Sequence, residues 1–148
     1  MEAIRRILVP VDFSEHSERA LEHAIGLAKV FGAEIELLHS YEVTPIVTLY
    51  GVGYPETLDR DLREAATRRL AEWCEKVQTE AVPVRQHVVP SFPAEAIVDQ
   101  AGELDVDLIV MGTRGLSGLR HVMLGSVAER VLRRAPCPVL TVKEPERE

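Results

Sequence analysis

Cysteine is scarce in this chain: there are two in 148 residues. Cys74 and Cys137 form no CxxC pair and have no Cys/His metal spacing around them, which excludes a disulfide framework and a zinc knuckle. Aromatic residues make up only 5% of the chain and asparagine is absent. No apolar run approaches the ~20 residues of a membrane span. The N-terminus lacks the basic-then-apolar layout of a signal peptide, because Arg5 and Arg6 lead straight into an apolar run. Cytoplasmic residence and two free thiols are the expectations. A formal charge of −7 argues against general nucleic-acid binding but leaves room for one local cradle for an anion. Three motifs are missing as well. There is no GxxxxGK[ST] loop, no GxGxxG, and none of the five histidines belongs to an HxGH.

What is present centres on residues 107–127, DLIVMGTRGLSGLRHVMLGSV. Leu108–Met111 is a short apolar run between Asp107 and Gly112 and predicts a buried strand. Gly112, Gly115, Gly118 and Gly125 follow, with Ser126 directly after the last. Val127, Ala128, Val131 and Leu132 then repeat at helical spacing. Strand, glycine loop and helix in this order suit an anion. Glycine lets the backbone come close to a ligand, successive N–H groups form a concavity, and a helix N-terminus adds unpaired donors at the positive end of its dipole. A plain turn with Ser126 as an N-cap explains the glycine loop, taken alone, about as well. Three basic side chains lie in the loop. Arg114 suits bidentate contact with phosphate, whereas Arg120 and His121 read as solvated loop surface.

The rest of the chain alternates between the two periods. Ile4–Val11 predicts a first strand ending at Asp12. Ser14 then caps a helix whose apolar face runs Ala20, Leu21, Ala24, Leu27, Ala28 and Phe31, and Gly32 ends it. Ile35–Ser40 is a second strand. His39, near its end, reads as a packed, hydrogen-bonded histidine more readily than as a ligand. Residues 41–55 hold Pro45, Gly51, Gly53 and Pro55 and read as a loop, long enough to cover a site or meet a partner. A helix is expected from about Glu56 to Glu80, with Leu70 and Trp73 in its core stripe. Val84–Val89 is the third strand, closed by Pro90. Pro93 opens a helix. Leu108–Met111 is the fourth strand, the helix after Gly125 stops near Arg134, and Pro138–Val142 is the fifth strand. The pattern implies one α/β domain over residues 1–148, with a parallel sheet covered by helices on both faces.

The spacing G-x2-G-x9-G-S, from Gly112 through Gly115 and Gly125 to Ser126, resembles the ATP-binding signature of the universal stress protein family. Its flanks VDLIVMGTRG and LGSVAERVLRRAPCPVLTVK, and the opening ILVPVDFSEHSERAL, are similar to that family too. The resemblance covers essentially the whole chain. It implies a Rossmann-like open sheet of five parallel strands in the order 3-2-1-4-5, with its reversal between strands one and four. Ligands bind beyond the carboxyl ends of such strands at the reversal, where Asp12 and Gly112 would meet.

In that geometry the N–H groups around Gly115, Gly125, Ser126 and Val127 would hold phosphate oxygens, with Arg114 beside them. Asp12 has no charge match to phosphate, so a ribose hydroxyl is its plausible partner. The resemblance further implies that the Ser40 backbone meets the adenine edge, and that Pro10, Val11 and Met111 line the base or sugar. The implied ligand is ATP, AMP or ADP, with Mg²⁺ or Mn²⁺ bridging phosphates, and no carboxylate cluster suggests a dedicated metal site. The implied role is a stress-response sensor or switch working through a homodimer paired along Pro138–Val142. Two other roles stay open: a slow ATPase, and a dimeric scaffold that ignores nucleotide. Without a P-loop lysine or a water-positioning group, hydrolysis is expected to be weak or absent.

Overall fold

The computed structural model describes residues 3–43, 46–53, 56–114 and 124–143. Strand β1 (Arg6–Pro10) leads through helix α1 (Glu15–Phe31) to β2 (Glu34–Tyr41). A short antiparallel hairpin follows, β3 (Ile46–Thr48) with β4 (Gly51–Gly53). Then come α2 (Glu56–Thr79), β5 (Val84–Pro90), α3 (Pro93–Glu103), β6 (Leu108–Gly112), α4 (Ser126–Arg134) and β7 (Val139–Val142). The main sheet is parallel throughout, in the order β5-β2-β1-β6-β7. With the hairpin strands set aside, this is the expected 3-2-1-4-5. The hairpin itself is the departure. Residues 41–55 read as loop, yet Ile46–Thr48 pairs with Gly51–Gly53 around a turn carrying Leu49 and Tyr50, both exposed.

Alternation along each strand splits the core into two layers. Ile7, Val9 and Val11 of the β1 segment pack with Ile35, Leu37, Leu108 and Val110 beneath α1 and α2, where Leu70, Trp73 and Val77 complete the layer. Leu8, Leu38, Ile109 and Met111 face the other way, under Ala94, Ile97 and Ala101 of α3 and Ala128 and Val131 of α4. The central strands are buried on both faces, which is why they read as unbroken apolar runs.

Local chemistry sets the helix ends. The Ser14 hydroxyl accepts from the Ser17 N–H at 3.2 Å, and Gly32 ends α1 with φ of 68°, the left-handed backbone that glycine adopts without cost. Pro93 opens α3, where its missing N–H loses no helical bond. Among the described residues one charged group enters the interior. Glu36 on β2 is fully buried, held by an ion pair to Arg85 and by a 2.6 Å contact to Nε2 of His87. Both partners lie on β5, and the Glu36 carboxylate raises the Arg85 pKa above its ordinary value. The pairing locks β5 in register on the sheet edge. Cys74 is buried, Cys137 is half-buried, and both are free. Among the described residues no helix is long and apolar enough to cross a membrane.

Candidate functional site

The order of the sheet places its reversal at β1, between β2 on one side and β6 on the other. A crevice opens beyond the carboxyl ends of the strands at such a point. By alternation, Pro10 shares the face of Leu8 and Ser40 the face of Leu38, and Asp12 lies two residues past the end of β1. Met111 lies on that face as well and is 5% exposed. Pro10, Ser40 and Met111 are thus brought to the α3/α4 side of the sheet at one edge, with Asp12 just past the carboxyl end of β1. Val11 is not. Its side chain is buried in the α1/α2 layer, its N–H donates to Leu38 O at 2.8 Å, and its carbonyl contacts His39 Nδ1 at 2.8 Å. An odd position along the strand sends its side chain through to that layer.

The glycines play separate parts. A Cβ on Gly112 would lie 3.1 Å from both Cβ and O of His16 and 3.3 Å from Arg114 O, so β6 approaches the first turn of α1 too closely for a side chain. Gly112→Ala should therefore overpack this contact, costing about 1–3 kcal/mol, which a chain of this size reads as ~2–4 °C of melting temperature per kcal/mol. A melting temperature equal to wild type would show that the contact gives way. Gly125 closes the loop from the other end. Its N–H donates to Thr113 O at 2.6 Å, and a Cβ there would stand 3.0 Å from the same oxygen. The Gly125 N–H is thereby engaged by the Thr113 carbonyl. Gly125, not Ser126, is the N-cap of α4, with φ −70° and ψ 161°. Ser126 and Val127 are the first helical residues, and their N–H groups have no intrahelical acceptor. Arg114 follows Thr113 and is half-buried. Gly115, Gly118, Arg120 and His121 lie outside the described residues.

A cleft of about 560 Å³ sits between the starts of α3 and α4, lined by Phe92, Pro93, Ala94, Glu95, Ser126, Val127 and Arg130. Sequence reasoning found Ser126 and Val127 but missed Phe92, Glu95 and Arg130. Pro93 was the available signal: a proline that starts a helix places its neighbours at a helix mouth. Glu95 pairs with Arg130 at 3.3 Å and Arg134 at 3.8 Å, tying α3 to α4 across the cleft. The described residues hold no group of three or more His, Cys, Asp or Glu arranged for a metal ion.

The turn after β1 is tightly built. Asp12 Oδ1 accepts from the Ser14 N–H at 3.0 Å and from the Ser14 hydroxyl. Phe13 between them has φ of 64°, a left-handed backbone that costs a non-glycine residue about 1–2 kcal/mol. Its ring lies 4.4 Å from the His39 ring and 5.5 Å, edge-on, from Trp73. The Arg69 guanidinium covers it at 4.4 Å. His39 is a packed, hydrogen-bonded residue, as its position at the strand end suggested.

Burial lowers the His39 pKa, and Arg69 lowers it further, against the pull of the Val11 bond and of Asp12. The folded protein therefore favours the neutral ring. As pH falls below ~6.5 the unfolded chain takes up this proton first, so the contribution to stability is full above that pH and is lost below it. His39→Asn keeps a donor for Val11 without a titrating ring. Melting temperature should fall less between pH 7.5 and 5.5 in this variant than in wild type, and parallel declines would remove His39 from the acid response.

The family model described as "Universal stress protein family" matches residues 3–143. The chain belongs to the universal stress protein family. It is 39% identical to universal stress protein MJ0531 of Methanocaldococcus jannaschii over 144 residues, 97% of this chain and 85% of that one. It is 37% identical to a universal stress protein of Thermus aquaticus, over 94% of this chain and 98% of the relative.

Solved structures of the family share the fold. That of MJ0577 aligns with a TM-score of 0.83 at 29% identity, covering 99% of this chain and 100% of the other. A universal stress protein in complex with cAMP aligns with a TM-score of 0.72 at 25% identity, covering 96% and 98%. One from Archaeoglobus fulgidus in complex with dAMP aligns at 0.67 and 26% identity, covering 95% and 98%. The universal stress fold thus accounts for the five-stranded sheet and for its crevice at β1 and β6.

Proposed function

We propose that this universal stress protein binds an adenine nucleotide, ATP foremost, beyond the carboxyl ends of β1 and β6, and serves as a stress-response sensor or switch. The observation that carries the reading is the convergence at one edge. Asp12 lies two residues past the end of β1, Gly112 ends β6, and the Gly125–Thr113 bond sets the N-terminus of α4 beside them. The N–H groups of Ser126 and Val127, the positive end of the α4 dipole and the Arg114 guanidinium supply donors for phosphates. Gly115 completes the glycine signature. Asp12 accepts from the ribose. Pro10, Met111 and the backbone of Ser40 border the base, and Val11 acts through its backbone from beneath. AMP and ADP fit the same donors with fewer phosphate contacts. Mg²⁺ or Mn²⁺, when present, binds through the phosphates. That two structural relatives are complexes with cAMP and dAMP supports an adenine nucleotide as the ligand class.

Calorimetric titration with ATP and Mg²⁺, on protein cleared of co-purified nucleotide, tests this. Micromolar binding is the expected result; no heat would favour a nucleotide-independent scaffold. ATP turnover is expected to be slow or absent. The protein is read as one cytoplasmic domain over residues 1–148 that acts as a homodimer.

β7 supplies the dimer contact in this reading. It is an edge strand of four residues with Leu140 41% exposed, and an apolar strand edge invites pairing with its own copy. Leu140→Lys should shift the mass seen by light scattering from dimer to monomer. A dimer mass that does not change would take Pro138–Val142 out of the interface.

A further inference from the structure

We propose that Arg69, Phe13 and His39 form a stack that positions Asp12 for the ribose, a role that rests on the nucleotide reading above. The stack sits on the α1/α2 side of the sheet, across from the crevice, and is built from three separate elements. Phe13 belongs to the turn after β1, His39 to β2 and Arg69 to α2. Each member acts on the same four residues. His39 Nδ1 holds the Val11 carbonyl at 2.8 Å. The Phe13 ring is in contact with both the His39 ring and the Arg69 guanidinium, each 4.4 Å from its centroid. Between these anchors lies the left-handed backbone of Phe13, and just before it Asp12, whose Oδ1 already accepts from the Ser14 N–H.

A non-glycine residue at positive φ persists only where its surroundings impose it, and such residues gather at functional sites. Here the imposing contacts are the ring contacts of Phe13. They hold the turn that carries Asp12 at the carboxyl end of β1. A carboxylate has lone pairs beyond those that Ser14 uses, so a fixed Asp12 can serve the turn and a ribose hydroxyl together. Neither Arg69 nor His39 touches the ligand in this scheme. They are positioning residues, and their effect should appear only on the part of the nucleotide that Asp12 reads.

The test compares ATP with 2′,3′-dideoxy-ATP by calorimetry in wild type, Arg69→Ala, Arg69→Lys and Phe13→Gly. In Arg69→Ala, ATP binding should weaken about fivefold, the equivalent of one cation–π contact, with little change for the dideoxy analogue. Arg69→Lys keeps a cation over the ring and should recover most of the loss. Phe13→Gly relieves the backbone yet removes the ring, and should behave like Arg69→Ala. Wild-type affinity and wild-type ribose discrimination in Arg69→Ala would overturn the proposal, and so would an equal loss for both nucleotides. Exchange of the Ser14 amide, followed by NMR without nucleotide, should quicken in Arg69→Ala; an unchanged rate would show that the stack does not hold the turn. Should wild type bind neither nucleotide, the nucleotide reading fails and the ribose role with it, and the Ser14 amide still reports separately on the stack.

Discussion

Gly125→Val is expected to weaken ATP binding at least about tenfold, ~1.4 kcal/mol, in a titration with Mg²⁺. The cause is backbone crowding at the mouth of α4. A Cβ at this position stands 3.0 Å from Thr113 O, the oxygen that the Gly125 N–H already holds at 2.6 Å. Neither partner can withdraw without breaking the bond that closes the glycine loop, and valine adds two methyl groups to the clash. The start of α4 must then move away from β6, carrying with it the N–H groups of Ser126 and Val127. The same overpacking costs about 1–3 kcal/mol of stability, so affinity and melting temperature are measured together. Gly26→Ala is the control. Nothing lies within 4 Å of a Cβ at Gly26, and alanine is favoured over glycine inside a helix by roughly 0.5–1 kcal/mol. That variant should bind ATP as wild type does and melt slightly higher. If folded Gly125→Val keeps wild-type affinity, the start of α4 does not hold the phosphates.

Asp12→Ala carries the second large effect: a loss of about tenfold, ~1.4 kcal/mol, that should be equal for AMP and ATP. An acceptor that serves ribose is indifferent to the number of phosphates. A larger loss for ATP than for AMP would instead place Asp12 at the phosphate end, through a bound cation. The substitution also removes the acceptor of the Ser14 N–H and of the Ser14 hydroxyl. The Ser14 hydroxyl still caps α1 at the Ser17 N–H, so the helix keeps its start, and the stability cost should be that of the lost hydrogen bonds, about 1–3 kcal/mol. A protein that no longer melts cooperatively would mean that the turn after β1 depends on Asp12 for folding.

Both variants act on positions that the sequence marks plainly, though for reasons the sequence does not contain. The G-x2-G-x9-G-S spacing singles out Gly125 as a place where a ligand comes close. In the fold, what comes close is Thr113 O. The spacing likewise suggested Ser126 as a possible N-cap, whereas the extended backbone at Gly125 takes that position and moves Ser126 into the first turn. Phe92, Glu95 and Arg130 had no motif to announce them. They line the cleft because α3 and α4 pack side by side on one face of the sheet.

The sequence by itself determined the order of the main-sheet strands and their helices and much of the core, although Phe31 and Leu132, read onto apolar helix faces, are exposed. Hydrophobic period separates strand from helix, Ser14, Gly32 and Pro93 mark where helices start and stop, and double-sided burial writes the central strands as apolar runs. It also placed Asp12 and the glycines at strand ends, because a loop that needs close backbone approach or a sharp turn records that need in its composition. It could not determine which face a strand-end side chain serves, since one residue of register carries Val11 into the layer opposite Met111. Only the tertiary structure decided how Phe13 comes to rest against His39 and Arg69, residues 26 and 56 positions further along the chain. Contacts of that kind depend on the packing of whole elements, and no local pattern encodes them. The short β3–β4 hairpin escaped for a related reason: three-residue strands are too brief to display a period of two.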